Sequence, residues 1–234
     1  MDTLGARAAS VLIGVATALV ILAAVIPLFL NPAWVGFEQG RSEAAAWTGF
    51  TEPQLRVATD SILADLVVGP PDFDVTVDGT PVLNERERSH MRDVRSVFIG
   101  FFAIVAIVAV GALAIALRRR GDARRATWRS VRGGAVGLIV ALLLLGGFAV
   151  IAFDVLFEMF HRLFFAGGSY TFDPTTDRLV QLFPFAFWDE TAMVLGIVAA
   201  VVAGIVAIVA HRRLAASVEP AAEAPSTAAH EAAR

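Results

Sequence analysis

Two histidines are the side chains best suited to acid–base chemistry in this sequence. His90 has Asp93 one helical turn after it, and His161 shares a predicted helical face with Asp154 and Glu158. An unperturbed imidazole has a pKa near about 6.5, so two of them can exchange protons near neutral pH. The chain contains no cysteine and no lysine. Thiolate nucleophiles, disulfides and Schiff-base chemistry are therefore excluded.

The residues alone leave three interpretations of these histidines open. They are ordinary histidines in the polar collars of membrane helices, or ligands of a metal site completed by carboxylates, or a metal-free acid–base pair. No HExxH-type motif or other compact ligand spacing is present, so no metal is predicted. A serine nucleophile is disfavoured too, because there is no G-x-S-x-G motif.

The elements that must position the histidines are membrane helices. The 234 residues are 57% apolar and 18% charged, with a mean hydropathy of +0.69, whereas a soluble domain is about 45–50% apolar and about 25% charged. The apolar residues form four runs, at 8–30, 97–117, 133–153 and 191–210. Each has roughly the 20 residues that a helix needs to cross about 30 Å of hydrocarbon.

The charges indicate how these helices are oriented. The Arg-rich link 118–132 carries a net charge of +6, whereas segments 31–96 and 154–190 carry −5 and −4. The positive-inside rule places the link and both termini in the cytoplasm and the two acidic segments outside. We expect a multi-pass protein of the cell membrane that contacts membrane lipid and does not bind nucleic acid. The sequence makes no prediction of oligomeric state.

The two outer segments show signals of ordered structure. Thr51 opens a capping box before an apolar stripe at helical spacing, and Asp78-Gly79 joins two short alternating runs. Asn84 then caps a helix, with Glu87 at its third position as in a capping box, and no breaker follows, so we expect this helix to continue into the second membrane span. In 154–190, a short helix is predicted to begin at Asp173-Pro174. The predicted fold class is an all-α polytopic membrane protein, with four transmembrane helices and a small α+β extracytoplasmic cap.

These features predict eight consecutive segments. They are an N-terminus with helix 1 (1–30), the cap (31–96), helix 2 (97–117), the Arg-rich link (118–132), helix 3 (133–153), an aromatic segment with His161 (154–190), helix 4 (191–210) and a disordered cytoplasmic tail (211–234).

Several short motifs stand around or after the two histidines. They are His90-Met91-Arg92-Asp93-Val94, Phe160-His161-Arg162-Leu163-Phe164-Phe165, Tyr170-Thr171-Phe172, Asp177-Arg178-Leu179 and Leu182-Phe183-Pro184. In these motifs the chain resembles one family of bacterial membrane enzymes, the Lit-type lipoprotein intramolecular transacylases, and the resemblance covers about residues 5–213.

The resemblance implies a reaction within one substrate molecule. An acyl chain leaves the sn-2 ester of the diacylglyceryl-modified N-terminal cysteine of a lipoprotein and joins the α-amine of the same cysteine. The product is a lyso-form lipoprotein, and no cofactor is implied. The partner would be a diacylated lipoprotein in the outer leaflet. The rival functions are a metal-dependent membrane lipid or peptide hydrolase and a noncatalytic membrane assembly or sensor protein.

We assign roles on this hypothesis. His90 is the main acid–base residue, oriented by Asp93. His161 is the second, which either relays the proton to the leaving glyceryl oxygen or stabilises the oxyanion, and Tyr170 is a candidate hydroxyl donor. The expected supporting carboxylates are Asp154, Glu158 and Asp177. The expected lining of an acyl groove is Phe164, Phe165, Phe183 and Trp188.

Overall fold

The computed structural model describes residues 3–216, so most of the predicted tail, including His230, lies outside the described residues. Within that range the chain is built from helices and one small hairpin. In chain order the elements are α1 (Thr3–Val25), α2 (Pro32–Arg41), α3 (Ala44–Thr48), α4 (Glu52–Val67), β1 (Thr76–Val77), β2 (Thr80–Pro81), α5 (Glu85–Arg118), α6 (Asp122–Phe164), α7 (Arg178–Leu182) and α8 (Phe185–Ala216).

Four of these helices are long and apolar enough to cross a membrane, which confirms the predicted fold class. They are α1 with the 3₁₀ turn that follows it, α5, α6 and α8. α1 packs between α5 and α6, α6 packs along α8, and α5 and α6 barely touch. Many large apolar side chains on the bundle are exposed, such as Ile107 and Ile151. Such surfaces are expected where a helix faces lipid.

The membrane helices extend well beyond the predicted apolar runs. α6 begins at Asp122, so most of the Arg-rich link is helical and only residues 119–121 form the turn. Arginine is a good helix former, and the link contains one breaker, Gly121, whose φ is +54°. α6 is kinked at Ala152, whose φ of −149° and ψ of 52° are not helical. The kink lies just before the part of α6 that carries His161.

The cap consists of α2, α3, α4 and the hairpin, and its first two helices were not predicted. Asn31 caps α2 by accepting hydrogen bonds from the N–H groups of Ala33 and Trp34, and Pro32 occupies the first turn. The predicted capping box of α4 is present between Thr51 and Gln54. The predicted hairpin is present too, because Asp78 and Gly79 adopt the positive φ values that a tight two-residue turn requires.

The apolar stripe of α4 forms the centre of the cap core. Its buried residues pack against the hairpin strands, the start of α5 and α7. Phe73 and Leu182 are fully buried there. The cap therefore rests directly on the end of α5 that carries His90.

A buried carboxyl group lies where the cap contacts the last membrane helix. Glu38 on α2 is 1% exposed and lies beside Arg41, whose Nε is 3.9 Å from Oε1 of Glu38. The same Nε donates to Oε2 of Glu190 on α8 at 2.6 Å. Burial, and then the neighbouring Glu190, raise the pKa of Glu38.

The prediction that α7 begins at Asp173-Pro174 was wrong, since the helix begins at Arg178. The carboxylate of Asp173 instead accepts hydrogen bonds from the N–H and the hydroxyl of Thr175, at 2.8 and 2.7 Å. An aspartate that bonds locally in this way favours a turn over a helix. Phe183-Pro184 separates α7 from α8.

Candidate functional site

The two histidines lie next to each other where the cap meets the bundle. Their ring centroids are 6.0 Å apart and the ring planes differ by 21°. His90 is two turns into α5, whose start is set by a capping box between Asn84 and Glu87. α6 runs antiparallel to α5, so its last turns bring His161 to the same level.

His90 is enclosed by aromatic rings. It is 6% exposed, and Phe165 and Phe172 contact it edge-on at centroid distances of 4.8 and 5.4 Å. Its Nδ1 is buried and has no hydrogen-bond partner among the described residues. Such surroundings favour the neutral imidazole, because desolvation penalises the charged form.

His161 is held in a defined orientation by the backbone of its own helix. Its Nδ1 lies 2.7 Å from the carbonyl oxygen of Phe157. A carbonyl oxygen only accepts hydrogen bonds, so we assign the proton of the neutral ring to Nδ1. Nε2 of His161 is then left with a free lone pair, which is what a proton acceptor needs.

A small polar group lies beside His161. The ring of Tyr170 is 5.1 Å from that of His161, and its hydroxyl donates to Oε1 of Glu158 at 3.3 Å. Arg162 donates to the same oxygen at 2.7 Å. The structure thus brings the predicted residues Tyr170 and Glu158 to the histidine pair.

None of the other three predicted carboxylates forms a hydrogen bond with either histidine among the described residues. Asp93 is exposed one turn after His90, and no hydrogen bond joins the two within residues 3–216. Asp154 is exposed on α6. Asp177 is buried and accepts hydrogen bonds from Asn84 and Arg86 at the start of α5. It therefore contacts the helix that carries His90 and not the histidine itself.

Only one of the four predicted groove residues contacts both histidines. Phe165 is 8% exposed and touches each ring. Phe164 contacts Phe160 with tilted rings, and Phe183 belongs to the cap core. Trp188 is 6.4 Å from Phe157, which in turn packs on His161 at 4.2 Å.

Sequence reasoning missed three residues of the site. Phe172 covers His90, Phe157 orients His161, and Glu87 is a fully buried carboxylate one turn before His90. Phe172 stands in the aromatic-x-aromatic motif and Phe157 is one turn before His161, so both had a weak sequence signal. Glu87 was assigned only to the capping box.

The described part of the chain holds no cluster of three or more histidine, aspartate or glutamate side chains arranged to bind a metal ion. The arrangement that is present consists of two adjacent imidazoles, one with a free acceptor nitrogen, and a surrounding wall of aromatic rings. Such a pair can take a proton from one group and return it to another in a site with restricted access to water.

Comparison with known proteins identifies the family and the fold of the chain. Residues 11–188 match the model of the family described as lipoprotein intramolecular transacylase Lit. No curated protein matches the chain. The fold is similar to the in meso structure of Lit from Bacillus cereus, with a TM-score of 0.70 and 18% identity over 90% of this chain and 96% of that one.

Two structures of that Bacillus cereus protein with one histidine replaced are similar as well. The variant with arginine matches with a TM-score of 0.67 and 17% identity, over 90% of this chain and 92% of that one. The variant with alanine matches with a TM-score of 0.64 and 17% identity, over 90% of this chain and 94% of that one. At such identity the likeness shows the fold, and the family match covers most of the chain. The chain therefore belongs to the Lit family of lipoprotein intramolecular transacylases, which are acyltransferases of the membrane.

Proposed function

We propose that this protein moves an acyl chain from the sn-2 ester of an S-diacylglyceryl cysteine to the α-amine of the same cysteine. An amide bond forms, the ester C–O bond breaks, and the amine proton passes to the glyceryl oxygen. The observation that carries the proposal is the stacking of His90 on His161 at 6.0 Å, at the cap end of two membrane helices.

The geometry favours an order of roles opposite to the sequence-based assignment. His161 has its Nδ1 held by a carbonyl, so its Nε2 is the better-oriented acceptor for the amine proton. His90 is the second imidazole, which receives this proton from His161 and gives it to the leaving glyceryl oxygen. Asp93 acts on His90 through its charge alone, since the two are not hydrogen-bonded in the described chain.

The reaction needs no nucleophile from the protein. The amine and the ester belong to one molecule, and holding them in contact replaces a bimolecular encounter, at best worth about 7–11 kcal/mol. An α-amine with a pKa near about 7.7–8 is readily deprotonated by a histidine. The absence of cysteine and lysine agrees with such a mechanism.

The charge distribution supports a site on the outer side of the membrane. The +6 link lies at the bundle end opposite the histidine pair, whereas segment 31–96 at the other end carries −5. The positive-inside rule then places both termini in the cytoplasm and the histidines at the outer leaflet. A diacylated lipoprotein is anchored there with its α-amine at the membrane surface.

The test uses purified protein in nanodiscs with a synthetic diacylated lipopeptide, and mass spectrometry locates the transferred acyl chain. We expect N-acylated lyso-lipopeptide from the wild type and a loss of at least about 100-fold in His90→Ala and His161→Ala. His211→Ala is the matched control, because His211 lies at the far end of α8. Full activity in either site variant would remove that histidine from the mechanism.

The same assay separates the rival functions. Free fatty acid without N-acylation, lost after treatment with a chelator, would indicate a metal-dependent hydrolase. An unchanged lipopeptide under all conditions would favour a noncatalytic role. Transfer that persists with a chelator supports the proposed reaction.

A further inference from the structure

Two buried carboxylates, Glu87 and Asp177, join the loop before α7 to the first turn of α5. We call this pair the carboxylate clasp. Glu87 is 1% exposed, and its two oxygens accept the backbone N–H groups of Leu179 and Asn84, at 2.6 and 2.7 Å. The carboxylate is satisfied by backbone donors from two separate segments.

Asp177 makes the reciprocal connection from the loop. It is 5% exposed and accepts from the Asn84 side chain at 3.0 Å and from Arg86 at 2.6 Å. It also accepts the backbone N–H of Asp173 at 2.8 Å. Charge-assisted hydrogen bonds of this kind are roughly twice as strong as neutral ones.

Phe172 lies next to the clasp. It directly precedes Asp173, and the guanidinium of Arg86 lies over its ring, 5.0 Å from the ring centre. The ring contacts His90 at 5.4 Å. Arg86 therefore connects the clasp to the aromatic cover of the histidine by a cation–π contact.

We infer that the clasp makes Glu87 and Asp177 positioning residues, which hold Phe172 on His90 and keep water away from the reacting ester. Water is the competing nucleophile in this chemistry, because its attack on the ester releases free fatty acid and leaves the amine unmodified. Exclusion of water from a closed site suppresses such side reactions. The inference rests on the proposed function for its chemical consequence, but the placement of Phe172 can be tested independently.

The test compares Glu87→Gln and Asp177→Asn with the wild type. Glutamine keeps the size of the side chain but offers one acceptor to the two N–H groups that Glu87 satisfies. Glu85→Gln is the matched control, because Glu85 is exposed in the same first turn and bonds to Arg92 rather than to the loop. Thermal unfolding establishes that each protein is folded.

Two readouts distinguish positioning from a general structural role. The first is the rate at which diethyl pyrocarbonate modifies His90, measured by mass spectrometry with exposed His211 as the internal standard. We expect the rate to rise several-fold in both clasp variants and to stay unchanged in the control. The second is the share of the cleaved acyl chain that appears as free fatty acid, which we expect to rise several-fold while KM changes little.

Folded clasp variants in which His90 stays as protected as in the wild type would overturn the inference. Where both variants fail to fold, Phe172→Ala removes the cover and leaves the clasp in place; unchanged modification of His90 and unchanged product partition would then overturn it. If neither the wild type nor any variant transfers an acyl chain, the proposed function fails. The modification rates still decide whether the clasp holds Phe172 on His90.

Discussion

Helices α1 and α6 approach each other closely at Gly14 and Gly134, and Gly134→Ala tests the importance of this contact. A Cβ added at Gly134 on α6 would overlap the carbonyl oxygen of Gly14 on α1 and would lie 2.7 Å from the carbonyl carbon and 2.8 Å from Cα. All three are backbone atoms, so no side chain can rotate away. Small residues at such crossings let helix backbones pack closely in a membrane.

The size of the effect follows from these distances. Non-bonded carbon atoms lie about 3.5–4.0 Å apart, so the two backbones must separate by about 1 Å. Overpacking of this kind typically costs about 1–3 kcal/mol. The better helix propensity of alanine returns at most about 1 kcal/mol. We expect a net destabilisation, seen as a lower Tm by about 2–10 °C.

Thermal unfolding of purified protein in one detergent measures the effect, with other glycines as controls. Gly133 and Gly137 have no atom within 4 Å of a built Cβ, so their alanine variants should be neutral or stabilising. At Gly14 the nearest atom is the carbonyl oxygen of Ser130 at 3.4 Å, so Gly14→Ala should be tolerated. Equal Tm values for Gly134→Ala and Gly137→Ala would refute the reasoning.

Three further predictions concern the cap and the polar group beside His161. Because the pKa of Glu38 is raised in the folded protein, the native state binds more protons, and stability should fall as pH rises above the ordinary value of 4.5. Glu38→Gln should remove that part of the decline, and Tm values across a pH series for both proteins check it; an equal slope would contradict it. Tyr170→Phe deletes a single 3.3 Å hydrogen bond to Glu158, so lipopeptide assays should show a loss of activity below about 10-fold; a loss as large as that of the histidine variants would make the hydroxyl catalytic. Asn31→Ala removes two accepted N–H bonds at the start of α2 and should lower the free energy of unfolding by about 1 kcal/mol in thermal or denaturant unfolding. An unchanged midpoint would show that the Asn31 side chain does not stabilise α2.

Local sequence signals predicted the framework of the protein well. The capping boxes at Thr51 and Asn84 and the Asp78-Gly79 turn depend on residues within four positions of each other, and the structure has all three. The signal for α2 was equally local, since Asn31-Pro32 is a cap followed by a proline in the first turn. It was missed because the predicted order within the cap began only at Thr51.

Other features had no usable local signal. The kink at Ala152 lies in a stretch without proline. The turn that begins at Asp173 is closed by the N–H of Asp177 on the Asp173 carbonyl oxygen, and α7 begins only after it. Glu87 looked like an ordinary residue of a capping box, because its second partner, Leu179, is 92 positions away in the chain.

The four membrane spans, the unequal charges of their connecting segments and the exclusion of thiol and lysine chemistry follow from the sequence without a structure. Each depends on composition or on the length of an apolar run. An apolar run in lipid becomes helical because a helix satisfies all of its backbone hydrogen bonds internally. The contact between His90 and His161 depends on how α5 and α6 pack through α1, since the two helices barely touch each other. Which nitrogen of His161 is free, and whether water reaches His90, depend on a backbone carbonyl and on a clasp between distant segments. Tertiary packing creates these features, because hydrogen bonds and burial join residues that the order of the chain keeps apart.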